Sequence, residues 1–234
     1  MWPVRLPILM YHYVEYVEDK GDTIRQSLNI SPYTFDAQIK TLADAEYTFL
    51  TAKEVGELFD KKRSRLPEKT VLITFDDGYR DFYTDVFPIL KKYNAKATVY
   101  MIAGFVGYKN NLTEKQLKEI AASGLVDIGA HTVHHVGLKH VSPDEMEKEV
   151  TESKKILEDV INQPVVSFAY PNGEYDDEAI TFVRQAGFTT AVTTTPGIEN
   201  GVENRFSLFR LRSGGRTGEA LLQYLNHQTD FKPW

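Results

Sequence analysis

The chain has no cysteine. That excludes disulfides, thiolate metal sites and cysteine nucleophiles together, and it leaves His, Asp and Glu as the strong metal ligands. No run of 18 or more apolar residues occurs, so no segment is long enough to cross a bilayer as a helix. Met1–Leu9 lacks a basic stretch followed by an apolar one, so no leader is visible; a chain whose leader had been removed would look the same. There is no basic tract and the net charge is −6, which argues against a nucleic-acid partner. No linker or break in composition divides the 234 residues, so 1–234 reads as one domain, long enough for a full core. Aromatic residues make up 12%, a level that would suit a sugar-binding cleft and that core packing explains equally well.

What is present is a regular alternation. Short apolar runs read as strands at Leu6–Tyr11, Val71–Phe75, Ala97–Ile102, Val126–Ala130, Val165–Ala169, Thr189–Thr194 and Phe206–Arg212. Between them lie helix signatures. Ser31–Pro32 opens a helix with Phe35, Ile39, Leu42 and Ala43 on one face. Thr51–Glu54 and Thr113–Gln116 are capping boxes, and Ser142–Pro143 starts a helix to about Ile161. Residues 15–30 read as an irregular surface loop, and Pro88 is expected to kink the helix over Tyr79–Tyr93. Strand and helix alternate about seven times, which argues for an α/β fold of parallel strands joined by helical crossovers.

In such folds reactive side chains gather at the C-terminal ends of the strands. His12, Asp76–Asp77, His131 and the Pro171 turn all fall there. Adjacent carboxylates at a strand end face opposite sides, so one can hold a cation while its neighbour acts as a base; taken alone, Asp-Asp-Gly is also an ordinary surface turn. Four of the six histidines lie between 131 and 140. His131 and His135, four apart, can face one side if the chain turns helically there, with His134 and His140 as bystanders. Two histidines and a carboxylate suffice for a divalent ion with room for water; Zn2+ is the default, Co2+ or Ni2+ the alternatives.

Thr74–Phe75–Asp76–Asp77–Gly78, His131–Thr132–Val133–His134–His135 and Phe168–Ala169–Tyr170–Pro171–Asn172–Gly173 resemble the successive motifs of the polysaccharide deacetylases, carbohydrate esterase family four with its NodB-homology domain. With Met10–Tyr11–His12–Tyr13–Val14, the chain is similar to the branch that de-N-acetylates poly-β-1,6-N-acetylglucosamine. The resemblance implies a single-domain, distorted (β/α)7-type barrel of parallel strands and a polysaccharide substrate met outside the cell or at its surface; separately, the chain is expected to act as a monomer. It implies Asp76 as general base, Asp77, His131 and His135 as metal ligands, and Thr132 as support for the histidine loop. His12 is the implied acid, with His227 as competitor. Tyr170, Pro171 and Asn172 are expected to line the cleft, with a backbone N–H near Tyr170 stabilising the oxyanion. Many members carry an arginine beside the base where this chain has Ala169; Arg210 or Arg212 is expected to replace it. Peptidoglycan, chitin oligomers and acetylxylan are alternative substrates within the family, and a non-catalytic glycan-binding module is a second alternative.

Overall fold

The computed structural model describes residues 4–17, 19, 21–61 and 66–226. The first half runs β1 (Val4–Arg5), β2 (Ile8–Tyr11), β3 (Tyr13–Val14), α1 (Thr23–Leu28), β4 (Asn29–Ile30), α2 (Pro32–Asp44), β5 (Thr48–Leu50), α3 (Ala52–Asp60), β6 (Thr70–Phe75), α4 (Phe87–Tyr93) and β7 (Ala97–Met101). The second half runs α5 (Glu114–Ala122), β8 (Val126–Ala130), α6 (Pro143–Ile161), β9 (Ser167–Ala169), α7 (Asp177–Gln185), β10 (Thr190–Pro196), β11 (Glu199–Asn200), β12 (Leu208–Arg210) and α8 (Gly218–Asn226).

Eight of these strands form one parallel sheet: seven run in the order β12-β10-β9-β8-β7-β6-β2, and β5 joins it through β6. The sheet nearly closes on itself: Leu211, just past β12, donates to the Ile8 carbonyl and accepts from the Met10 N–H, both at 2.8 Å. The distortion comes from β5, which pairs with the first half of β6 (Thr70–Leu72), while β7 pairs with the second half (Thr74–Phe75). The result is a barrel of the (β/α)7 type wrapped by helices.

Side chains alternate across each strand. Ile8, Leu72, Tyr100, Ala169, Val192 and Leu208 point inward and pack on Ala52, Val55 and Phe59 of α3, which plugs one end. Leu9, Tyr11, Ile73, Phe75, Val99 and Phe168 point outward and pack under the helices with Phe35, Ile39, Leu157 and Val183. Each such buried side chain contributes roughly 1.5–3 kcal/mol. This parity positions the site. It carries inward from Leu72 through Thr74 to Asp76, from Leu208 to Arg210, and from Ile8 through Met10 to His12.

Two sequence expectations need correction, and one strand was missed. Residues 15–30 are not an irregular loop: α1 and β4 lie within them, and β4 pairs with β3. The helix over Tyr79–Tyr93 begins instead as a π-helical turn, Phe82–Val86, and Pro88 falls in the first turn of α4, where its missing N–H costs nothing. β5 was not anticipated at all.

Candidate active site and metal centre

Strand β6 ends in a strained turn. The Gly78 N–H bonds back to the Asp76 carbonyl at 2.9 Å across Asp77, whose φ is +70°. This is a γ-turn, rare for a non-glycine residue, and it breaks the strand's alternation. Asp76 keeps its inward direction while Asp77 is swung toward the histidine loop. Gly78, at φ +69°, admits no side chain, since an added Cβ would stand 2.0 Å from Met101 Sδ. Asn111 secures the turn by donating to the Asp77 carbonyl at 3.2 Å.

Asp76 is buried inside the barrel mouth. Arg210 Nη1 and Nη2 donate to its two oxygens, each at 2.7 Å. The guanidinium is also fixed by Thr193 O (2.7 Å) and Thr74 Oγ1 (3.2 Å). Burial alone would raise the Asp76 pKa; the paired arginine outweighs it and holds the carboxyl well below the ordinary range. Arg210 therefore stands where the sequence left two candidates. Arg212 is exposed and makes no contact with Asp76.

His12 Nε2 lies 3.9 Å from Asp76 Oδ2. Burial lowers its pKa below the ordinary imidazole value, and Arg210 and Arg212 add to that against Asp76 and Asp77. His227 lies outside the described residues.

Asp77, His131 and His135 converge. Their candidate ligand atoms all lie within 4.8 Å of one another. Asp77 Oδ1 is buried and accepts no hydrogen bond, yet Nε2 of His131 and Nε2 of His135 each stand 3.4 Å away. An orphaned carboxylate oxygen facing two imidazole nitrogens fits a divalent cation and is costly otherwise. The tautomer agrees: His131 Nδ1 donates to the Ala169 carbonyl at 2.7 Å, which leaves the Nε2 lone pair facing Asp77. The loop is not helical as anticipated; left-handed residues at Thr132 (φ +59°) and His135 (φ +61°) fold it back, and the ring centroids come within 4.9 Å.

Two supports hold that loop. Thr132 Oγ1 accepts from the Val136 N–H at 3.1 Å. Glu149 of α6, buried at 5% exposure, was missed in the sequence. Its Oε2 accepts from the N–H groups of Val133 (2.8 Å) and His134 (2.9 Å), and its Oε1 pairs with His134 Nδ1 (2.6 Å). The one sequence signal was an acidic residue on the otherwise apolar stripe Met146–Val150.

The third motif departs from expectation. Tyr170 does not line the cleft: it is fully buried, its hydroxyl donates to Phe206 O at 3.0 Å, and its N–H is committed to Val192 O at 3.2 Å, so it is no oxyanion donor. Pro171 is buried as well, and only Asn172 is exposed.

The polysaccharide deacetylase family model matches residues 63–191. The chain belongs to the polysaccharide deacetylase family. The chain is 39% identical over 226 residues to the polysaccharide deacetylase homologue YxkH of Bacillus subtilis (strain 168), covering 95% of this chain and 77% of that one. It is 32% identical over 175 residues to a poly-β-1,6-N-acetyl-D-glucosamine N-deacetylase of Staphylococcus aureus (strain MSSA476), covering 69% of this chain and 60% of that protein's length. Among solved structures, the Streptococcus pyogenes deacetylase PplD, in complex with acetate, superposes with a TM-score of 0.86 at 37% identity, over 95% of this chain and 99% of that chain. Family membership carries the enzyme class, a deacetylating hydrolase, and the parallel barrel. Among the described residues no helix is long and apolar enough to cross a membrane.

Proposed function

We propose that this polysaccharide deacetylase removes N-acetyl groups from a bacterial N-acetylglucosamine polysaccharide by metal-assisted hydrolysis, with the whole barrel acting as one catalytic domain. Poly-β-1,6-N-acetylglucosamine is the first polymer to test, on the strength of the Staphylococcus aureus relative's name. The observation that carries the reading is the placement of Asp76: paired to Arg210, 3.9 Å from His12, and next in the chain to the Asp77, His131 and His135 trio.

The roles follow from that geometry. Asp77, His131 and His135 would hold a divalent ion, with Zn2+ the default, and the ion would supply Lewis acidity and a lowered pKa for a water. Asp76, kept ionised by Arg210, accepts the proton of the attacking water. His12, 3.9 Å from Asp76, donates a proton to the departing sugar amine, which is otherwise a poor leaving group. Arg210 also fixes the carboxylate's orientation, so the base does not turn away from the water. Asn172, the exposed member of its motif, contacts the glycan.

Acetate release from poly-β-1,6-N-acetylglucosamine, chitin oligomers, peptidoglycan and acetylxylan tests the reading, with Asp76→Asn as control. Release from a glucosamine polymer that Asp76→Asn abolishes is the expected result. Release from acetylxylan alone would reassign the substrate. Binding of glycans with no acetate from any of them would make the protein a non-catalytic module.

A further inference from the structure

The site above leaves two arginines unused. Arg212 and Arg216 sit on the loop between β12 and α8, and no carboxylate among the described residues pairs with either. Together with Arg210 they line a cavity of about 290 Å³ at the barrel mouth, walled otherwise by Met10, Thr194, Pro196 and Tyr224. Arg210 is already neutralised by Asp76; Arg212 and Arg216, both exposed, line the cavity with no acidic side chain in its walls. In a chain with 33 acidic and 27 basic residues, two arginines in one concavity with no acidic partner among the described residues are not explained by surface composition.

The loop that presents them is built rigidly. Gln38 of α2, fully buried, donates from Nε2 to the carbonyls of Gly214 and Arg216, both at 2.8 Å. Ser213 Oγ donates to the Tyr11 hydroxyl at 3.1 Å. Arg216 is further held by Ser213 O at 3.1 Å and lies over the Tyr224 ring at 4.2 Å. A planar guanidinium held in place is suited to a carboxylate or phosphate, which it can grip through two donors. The cavity is at the small end of ligand pockets, which run from about 300 Å³ upward, so it takes one substituent rather than a length of chain. Through Arg210 it shares a wall with the Asp76 site.

We propose that Arg212 and Arg216 form an anion-binding subsite that receives a carboxylate or phosphate group of the glycan beside the acetylated sugar, so that the preferred substrate is an anionic polysaccharide. This rests on the deacetylase reading above and narrows it: a neutral homopolymer would leave both cations unpaired.

Three tetrasaccharides test it: unsubstituted N-acetylglucosamine, N-acetylglucosamine alternating with N-acetylmuramic acid as the carboxylate source, and N-acetylglucosamine bearing a 6-phosphate. The readouts on metal-loaded enzyme are kcat/KM for acetate release and Kd by calorimetry. At least one anionic glycan should exceed the neutral one by about tenfold or more in both, the scale of a charge-assisted contact. That ratio should fall to about one in R212A/R216A and be largely kept in R212K/R216K, which also guards against misfolding of the first variant. Whichever arm shows the preference identifies the anion. Equal values for all three glycans, or a ratio untouched by R212A/R216A, would overturn the subsite. So would a pH profile shifted alike on every glycan with the ratio unchanged, since Arg212 would then act only on His12. Anionic glycans that bind tenfold tighter yet release no acetate would instead overturn the deacetylase reading and leave the subsite standing.

Discussion

Arg210 holds both carboxylate oxygens of Asp76 at 2.7 Å from a position 134 residues later in the chain, and neither group is more than 3% exposed. Such a pair is costly to split, because the survivor is left charged and dry; breaking one costs roughly 3–5 kcal/mol. In Arg210→Met the Asp76 pKa should rise, and the acid limb of kcat/KM should move up with it. The pH dependence of stability should change sign as well. With its pKa depressed, Asp76 contributes stability that is present above its unfolded value of about 3.9 and lost as pH falls through the folded value. In the variant, burial raises the pKa, so stability should fall as pH rises toward neutral. Urea melts of both proteins at several pH values check this; parallel curves would refute it.

His12 tests the other half of the proton traffic. Burial lowers its pKa despite two neighbouring carboxylates. If it donates the proton to the amine, the alkaline limb of kcat/KM should lie below about 6.5, the ordinary imidazole value. His12→Gln should lower kcat by about 10²–10⁴ and remove that limb. A full alkaline limb surviving in His12→Gln would move the acid role elsewhere, with His227→Gln the next variant to measure.

The metal site can be probed without substrate. Zn2+ at about a hundred times its Kd should stabilise the protein by roughly 2.7 kcal/mol, seen as a rise in Tm. His131→Ala and Asp77→Asn should abolish that rise, and a chelator should reverse it in the parent protein. A Tm insensitive to Zn2+, Co2+ and Ni2+ alike would remove the ion from the proposal.

Glu149 should behave as a positioning residue for the same site. It never reaches the ligand trio, but it accepts two backbone N–H groups of the histidine loop. Glu149→Ala leaves both donors without that partner, the Val133 N–H buried at a cost of about 1–3 kcal/mol, and should weaken metal binding by about 10–100-fold. Glu149→Gln, which keeps an acceptor oxygen, should recover part of the affinity. A loss of stability with unchanged metal affinity would show that the loop is held by other means.

The barrel and the trio were legible because both rest on local pattern. Apolar runs of strand length, capping boxes and histidines four apart announce themselves in one dimension. What failed had no such pattern. α1 buries none of its side chains, so it carries no periodic stripe, and β5 is three residues wedged between two helices. Tyr170 was misplaced because a strand-end tyrosine looks accessible until the Phe206 carbonyl is found above it. Glu149 acts through a tertiary contact that its own helix does not advertise. The choice between Arg210 and Arg212 was closer to hand. Both share the parity of Leu208, so direction alone did not separate them; Arg210 is buried inside the barrel, whereas Arg212, past the parallel bridge between Leu211 and Leu9, is exposed.

The sharpest local test lies at Gly78, where two separate constraints meet. Its φ of +69° costs a residue with a Cβ roughly 1–2 kcal/mol, and the Cβ would also collide with Met101 Sδ at 2.0 Å. The two can be separated. Gly78→Ala should destabilise by more than the conformational cost alone and displace Asp77, weakening metal affinity along with stability. Adding Met101→Ala removes the collision at the price of a cavity but leaves φ untouched. The double variant should therefore regain metal affinity, because Asp77 can return to its turn, while stability stays low. If the double variant recovered neither, the strain at Asp77 rather than the packing under Gly78 would set the geometry of the site.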